Sequence, residues 1–406
     1  MSTVDPLRRL AGSRLLRQVA AAMPGSLVFL TGGSLRDRLL GLETHDLDLV
    51  VDGDPRAGAA AIAGRLGARC FPLGRPPRVA WRLVTPQAQI DIVALQGGSV
   101  EADVRRRDFT VNALLWRLPR GPLFDLVGGL DDLAAGRIRV VRQENLEDDP
   151  LRVLRGLRLA ATHPSLRLTA ETEHQLAQAA PGLSRVARER VTGELQLLLG
   201  GAGVTRALLA AARLGVLGPL IPGWERLSDP QSLATLAGHL AALRRGRGVL
   251  ARGAATVSPA VLAAPAAGYP PRWDGEAAAT ALAAVWPARA ARAAGRAAAL
   301  GERLVHELTG PGARALAVEA GDDLAAALAW AVARAATPEA VTAARRLLGW
   351  WRSFADRPPL LPGDEVAALL GLPRGPARAA AVRRLRLAQA RGEIRTAGQA
   401  RRLLGV

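Results

Sequence analysis

Lysine is missing from this chain. All 54 basic side chains of its 406 residues are arginines, so the positive charge does not titrate in any usable pH range. Against 36 acidic residues the formal net charge is +18. With both signs interspersed, that excess points to a polyanionic partner, most often nucleic acid; an arginine-rich habit of the source organism would give the same balance. Cysteine is nearly absent too. The single Cys70 excludes an intrachain disulfide framework and a thiolate metal cluster, which suits a reducing cytoplasm. No long uncharged run survives inspection: the stretch between Arg252 and Arg272 is broken by Pro259, Pro265, Pro270 and Pro271 and reads as a loop or linker, not a spanning helix. Arg8, Arg9, Arg14 and Arg17 are followed by no clean apolar run before Pro24, so no secretory leader is expected. The expectation is a soluble cytoplasmic protein with no membrane partner. Hydrophobic residues at 49% are ample for a sizeable core, and the length suits two to four domains.

The first part of the chain alternates strand and helix signals. Leu7–Ala22 has helical spacing ended by Pro24-Gly25. An apolar strand follows at Ser26–Thr31, then a helix Ser34–Leu40 after Gly32-Gly33, a strand Leu47–Val51 and a helix Arg56–Leu66. Strands near Val79–Val84 and Gln89–Ala94 and a helix at Val111–Leu115 complete a small mixed-sheet unit. Beyond about Asp131 the strand signal fades, apart from Ile138–Val141. Helical spacing then covers Pro150–Ala161, Ala170–Ala179, Arg188–Leu199 and Val204–Leu214, and resumes from about Thr280 after an Ala/Pro-rich boundary at Gly253–Asp274. The fold class expected is α+β, a sheet-bearing head followed by helices.

The densest chemistry lies in Thr31-Gly32-Gly33-Ser34-Leu35-Arg36-Asp37 and His45-Asp46-Leu47-Asp48. A glycine pair between strand and helix lets phosphate oxygens approach backbone N–H groups at the helix start; a glycine pair alone is also simply a tight turn. Asp46 and Asp48, two apart on a strand, leave the same face. Paired carboxylates on an apolar strand repel unless a cation sits between them, and hard oxygen ligands suit Mg²⁺. Asp91, on a second apolar strand, is a third acid that could complete such a site. Arg105-Arg106-Arg107-Asp108-Phe109-Thr110-Val111-Asn112 places arginines suited to a triphosphate before Asp108 and Asn112, which could take ribose hydroxyls; a solvated charge run is the other reading of the arginines. Asp149-Pro150 reads as an N-cap with proline at the first helical position.

In this order the motifs resemble the class II tRNA nucleotidyltransferase and bacterial poly(A) polymerase family. The match runs through GGxxRD, DxD, RRRDFTxNA, a Phe124-Asp125…Gly128-Gly129 turn and D-P-L-R-x-L-R-x-x-R, then Glu189, Arg190 and Glu194. It is looser at Leu361-Pro362-Gly363-Asp364, Gly375-Pro376 and Arg391-Gly392-Glu393-Ile394. The resemblance implies a nucleotidyltransferase head (1–130), a helical neck with the base-reading element (131–200), a helical body (201–275) and a helical tail in contact with tRNA (276–406). It assigns Mg²⁺ to Asp46 and Asp48, with Asp91 as a third catalytic acid. It gives the nucleotide to Gly32, Gly33, Arg36, Asp37, Arg107, Asp108, Asn112, Asp149, Arg152, Arg155 and Arg158. Asp148 stands where the family's base-reading element has Glu, and Leu159 where its helix usually has Phe.

The chemistry of base reading follows from hydrogen-bond types. A carboxylate accepts from an exocyclic amine and a guanidinium donates to ring acceptors, so Asp149 with Arg152 fits cytosine, and adenine after a shift of the side chains. Uracil and guanine would face acceptor with acceptor. CC-adding members of the family lack the long mobile loop that A-adding members carry after the third acid, and here Asp91 runs through Gly97-Gly98 almost directly into Arg105. The expectation is addition of C to the 3′ end of tRNA from CTP, with a separate A-adding enzyme in the same cell. Full CCA addition, A addition or poly(A) synthesis from ATP, and a catalytically silent RNA-binding protein are the alternatives. Nine arginines between Pro373 and Val406, against Glu393 alone, either grip the tRNA backbone or are solvated while Val382, Leu385 and Leu387 pack inward.

Overall fold

The structure, a computed structural model, describes residues 4–75, 78–224, 274–335 and 337–406. The expected boundary at Gly253–Asp274, apart from Asp274, and most of the expected 201–275 body lie outside them. The chain divides into two compact units, Met1–Val186 with Gly201–Gly203, and Ala187–Gly200 with Val204–Val406.

The first unit opens with α1 (Val4–Gly12) and α2 (Arg14–Ala22), where one continuous helix was expected. Ser13 breaks it by turning extended and accepting from the Leu16 N–H at 3.4 Å, an N-cap inside the helical pattern. Then come β1 (Val28–Thr31), α3 (Gly32–Leu39), β2 (Asp46–Val51), α4 (Pro55–Leu66), β3 (Arg69–Arg75), β4 (Arg78–Val84), β5 (Gln89–Ala94), α5 (Val100–Arg105), β6 (Leu115–Arg117) and β7 (Leu123–Phe124). The strands form one mixed sheet in the order β3-β4-β5-β2-β1-β6-β7, with β2 and β5 parallel and the other pairs antiparallel. The helix expected at Val111–Leu115 is instead a 3-10 turn, Thr110–Asn112, followed by β6. Leu115 pairs with Thr31 of β1, and a short apolar run carries no period able to tell strand from helix.

Alternation along β2 sends Leu47, Leu49 and Val51 to the face under α4, where a Cβ at Gly58 would touch Val51, and Asp46, Asp48 and Val50 to the other. On that second face Val50 packs with Phe29, Val104, Ala113 and Leu115. The two acids therefore project from a sheet that is solidly buried around them.

After the sheet come α6 (Gly129–Ala134), β8 (Arg137–Ile138), α7 (Gln143–Asp148), α8 (Leu151–Thr162), β9 (Arg167–Leu168) and α9 (Ala170–Ala179). The Asp125…Gly129 turn is a backbone clamp: Asp125 Oδ1 accepts from the Gly129 N–H at 2.8 Å and Oδ2 from the Leu130 N–H at 2.9 Å. Gly129 has no alternative, since a Cβ there would lie 2.3 Å from the Thr110 carbonyl oxygen. Asp149 does not cap α8 as expected. It ends α7, and Pro150 takes the N-cap position, because the two helices abut with Asp149 at the joint.

The second unit contains α10 (Arg188–Gly200) and α11 (Val204–Arg213), then helices at Gly275–Leu282, Ala288–Glu307, Ala313–Ala320, Leu324–Ala335, Pro338–Ala355, Gly363–Leu370, Pro376–Arg391 and Ala397–Leu404. Trp330 is fully buried where Gly301 allows close approach, and its indole N–H donates to Glu302 at 2.7 Å. The last three helices close over Leu361, Val366, Leu385, Ala388, Ile394 and Ala400. Among the described residues no helix is long and apolar enough to cross a membrane.

Candidate active site

The β1–α3 junction sets the first wall. Gly32 takes φ +64, and a Cβ there would come within 2.9 Å of Asp48 Oδ2, so only glycine lets the helix start this close to the carboxylate. Asp48 is held from both ends by Ser34: its Oδ2 accepts from the Ser34 N–H at 3.2 Å and its own N–H donates to Ser34 Oγ at 2.9 Å. Arg38 fastens the far side by donating to the carbonyls of Ser34, Thr44 and Asp46.

Asp48 sits directly beside Asp91 in the β2–β5 register, while Asp46 faces Gln89. Burial, joined by Asp91 and Asp46, pushes the Asp48 carboxyl above the usual carboxylate range, against the opposing pull of the Ser34 N–H and Arg107. Neighbouring acids that raise the Asp48 carboxyl form an all-oxygen set whose repulsion a hard divalent cation would relieve, and Asp46 and Asp48 would be the pair to hold it. Asp91 is differently engaged: Arg82, which sequence reading missed, forks onto both its oxygens at 2.7 Å. Among the described residues no group of three or more His, Cys, Asp or Glu side chains is arranged to hold a metal.

A second cluster continues from α3. Arg36, 6% exposed, donates from Nε to Asp37 at 2.8 Å and from Nη1 to Asn112 Oδ1 at 2.5 Å. Asn112 donates to Asp108 Oδ1 at 3.1 Å, so the two residues meet although a 3-10 turn, not the expected helix, carries Asn112. Arg155 lies 3.7 Å from Asp108 Oδ2. For Asp108, burial alone would raise the carboxyl, but Arg155, the Asn112 and Phe109 N–H donors and Arg152 together hold it below its ordinary value. Arg107 is aimed by Asp103, which is 4% exposed and takes Nε and Nη2 at 2.8 and 2.6 Å. Arg105 and Arg106, by contrast, are exposed.

The base-reading candidates sit at the α7–α8 joint. Asp149 is buried while Asp148 faces solvent, so the Asp-for-Glu departure falls on an outward-facing position. Arg152 donates to the Asn145 carbonyl at 3.1 Å, and Arg155 and Arg158 follow at three-residue steps along α8. Phe109 docks this helix: a Cβ at Gly156 would come 2.8 Å from the ring's Cζ.

Strand-borne acids beside a glycine-opened helix, with Arg107 acting on Asp48, make up the candidate site. The family described as the poly A polymerase head domain matches residues 28–96 and 80–139, and the probable RNA and SrmB-binding site of polymerase A matches residues 165–227. Residues 28–139 and 165–227 are thus similar to the head and RNA-binding segments of the poly(A) polymerase family. A CC-adding tRNA nucleotidyltransferase of Synechocystis sp. is 40% identical over 190 residues, 46% of this chain and 45% of that protein. An A-adding tRNA nucleotidyltransferase of Deinococcus radiodurans is 39% identical over 198 residues, 48% of this chain and 44% of that one. The chain thus spans under half the length of these relatives. The fold extends further: the Thermotoga maritima CCA-adding enzyme complexed with tRNA covers 98% of each chain at TM-score 0.67 and 21% identity.

Proposed function

We propose that this protein adds C residues to the 3′ end of tRNA from CTP, releasing pyrophosphate. The observation that carries the C-only reading is the turn after β5. It is short and fastened: Gln96–Gly98 form a single 3-10 turn and Ser99 caps α5 at once. The Gln96 N–H donates to Asp103 Oδ1 at 3.1 Å, and Asp103 is the same carboxylate that aims Arg107. A turn so tied cannot re-aim Asp149 and Arg152 from cytosine to the larger adenine. The CC-adding name of the Synechocystis relative supports this reading, and the A-adding name of the Deinococcus relative is the competing one.

Asp46 and Asp48 would hold Mg²⁺, which when bound polarises the attacking 3′-hydroxyl and the leaving pyrophosphate. The Gly32-Gly33 backbone and Arg107 would seat the triphosphate, Asp37, Asp108 and Asn112 the ribose, and Asp149 with Arg152 the base. Arg36 would act chiefly as the buried strut between Asp37 and Asn112. Arg155 and Arg158 would line the same helix face, and Asp91 would tune Asp48 electrostatically. The tail would grip the tRNA backbone: Arg383 and Arg384 are exposed while Leu385 is buried, so the packing and RNA-facing roles fall on opposite sides of one helix. With Arg391, Glu393 and Leu387 they border a cavity of about 510 Å³.

The test uses purified protein, a tRNA lacking its 3′ terminus, Mg²⁺, and CTP or ATP supplied separately, with product length read at nucleotide resolution. Two C residues and no A are expected. Efficient addition of A to tRNA ending in CC would replace this reading with A or full CCA addition, and would remove the need for a separate A-adding enzyme.

A further inference from the structure

His163 belongs to none of the motifs, yet it closes a polar network of the first unit. Its Nε2 lies 2.9 Å from Asp37 Oδ1. Burial would raise the Asp37 carboxyl, but the His163 hydrogen bond and Arg36 outweigh it and keep it below the ordinary value. A carboxylate only accepts, so in the 2.9 Å contact with Asp37 the Nε2 N–H donates; Arg36 Nη2 also approaches Nε2, at 3.3 Å. From Asp37 the contacts run through Arg36 (2.8 Å), Asn112 (2.5 Å), Asp108 (3.1 Å) and Arg155 (3.7 Å). The two ends of this chain of six side chains both stand on α8 or its cap. Arg155 is in the middle of the helix, and His163 is the residue that ends it, its backbone N–H donating to the Leu159 carbonyl at 2.9 Å.

The imidazole is 10% exposed and seated with Nδ1 at 2.9 Å from Thr162 Oγ1, so its place is set by the helix end. Between the two attachment points Phe109 fills the notch at Gly156. The helix is therefore fastened to the head at three points. Two of them, Asp108 and Asp37, are side chains read above as nucleotide contacts.

We propose that His163 is a positioning residue for nucleotide binding. Through Asp37 and Arg36 it fixes the register between the α3 start, which would seat the ribose and triphosphate, and α8, which would present the base reader. The inference rests on the nucleotide-binding reading of those two elements. It predicts that His163 acts on nucleotide affinity and base discrimination rather than on the transfer step, because neither ring nitrogen faces Asp46 or Asp48.

The experiment compares H163Q with H163N in the full chain, with KM and kcat for CTP and for UTP on a tRNA lacking its 3′ terminus, and thermal melting alongside. Gln carries an amide N–H out to roughly where Nε2 stands and can still reach Asp37; Asn is long enough only for the Nδ1 side. Loss of one charge-assisted hydrogen bond in H163N should raise KM for CTP about tenfold, narrow the preference for CTP over UTP, and change kcat by no more than about twofold. H163Q should stay near wild type. Equal KM values in the two variants, a wild-type KM in H163N, or a loss confined to kcat would overturn the positioning role. Failure of the wild-type protein to use either CTP or ATP would instead remove the functional reading, and this inference with it.

Discussion

Asp48→Asn is expected to stabilise the metal-free protein while abolishing nucleotide transfer. Asp48 and Asp91 are Cα partners on adjacent parallel strands, which puts their carboxylates about 5 Å apart by ordinary strand spacing. Two unit charges at that distance repel by roughly 3 kcal/mol at an effective dielectric near 20. Arg82 offsets much of this by gripping both oxygens of Asp91, and Arg107 acts on Asp48 itself. A net penalty of about 1 kcal/mol remains, and Asn still accepts from the Ser34 N–H. Because burial and the neighbouring acids raise the folded-state pKa of Asp48, its ionisation works against folding above that value and has no effect below the unfolded one. The gain from Asn is therefore present at neutral pH, shrinks as pH falls through the raised folded-state value, and is gone below about pH 4, the unfolded value.

In thermal melting with a chelator, D48N should melt about 2–4 °C above wild type. Mg²⁺ at ten times its Kd would add roughly 1.4 kcal/mol to wild type and little to D48N, so the order of melting temperatures closes or reverses. A D48N protein that is less stable than wild type in chelator would refute the electrostatic argument. An equal response of both proteins to Mg²⁺ would refute Asp48 as a ligand, and near-normal turnover would refute its catalytic role.

Asp132 is fully buried and accepts from Thr110 Oγ1 at 2.6 Å and from Arg137 and Arg139 Nε at 2.9 Å each. Asp132→Ala should cost about 2–4 kcal/mol in denaturant unfolding, and wild-type stability would show the cluster to be dispensable. Burial opposes the ionised form of Asp132, but these three donors hold its pKa below normal. Its stabilisation is thus complete above the unfolded pKa and lost as pH falls through the folded one, so the D132A deficit should shrink in acid. For the tail, R383Q/R384Q should weaken tRNA binding and lower the slope of log affinity against log salt by up to about 2; an unchanged slope would mean that neither side chain meets a phosphate.

What could be read from the sequence was what a local period controls. Strand alternation put Asp46 and Asp48 on one face, and the structure's β2 carries them so. β5 and α9 end where their patterns do. β3 was missed because Pro72 and Gly74 interrupt its alternation, although it lies on the sheet edge, where proline is tolerated. β6 was read as helix because three or four apolar residues have no period. Its partner, β1, is more than eighty residues away in the chain, at contacts such as Thr31 Oγ1 to the Leu114 carbonyl.

The site divides along the same line. The glycines, the strand acids and Arg107 announce themselves because each departs from a local rule: glycine where a helix starts, charge on a buried strand, three arginines together. Arg82, Asp103 and His163 depart from none. An arginine on a strand, an acid on a helix and a histidine at a helix end are unremarkable until the fold brings them to Asp91, Arg107 and Asp37, and the last of these contacts spans 126 positions. Residues that would meet the nucleotide are marked by local oddity in the sequence. Residues that position those side chains are satisfied by the chain itself, and only the three-dimensional structure shows by what.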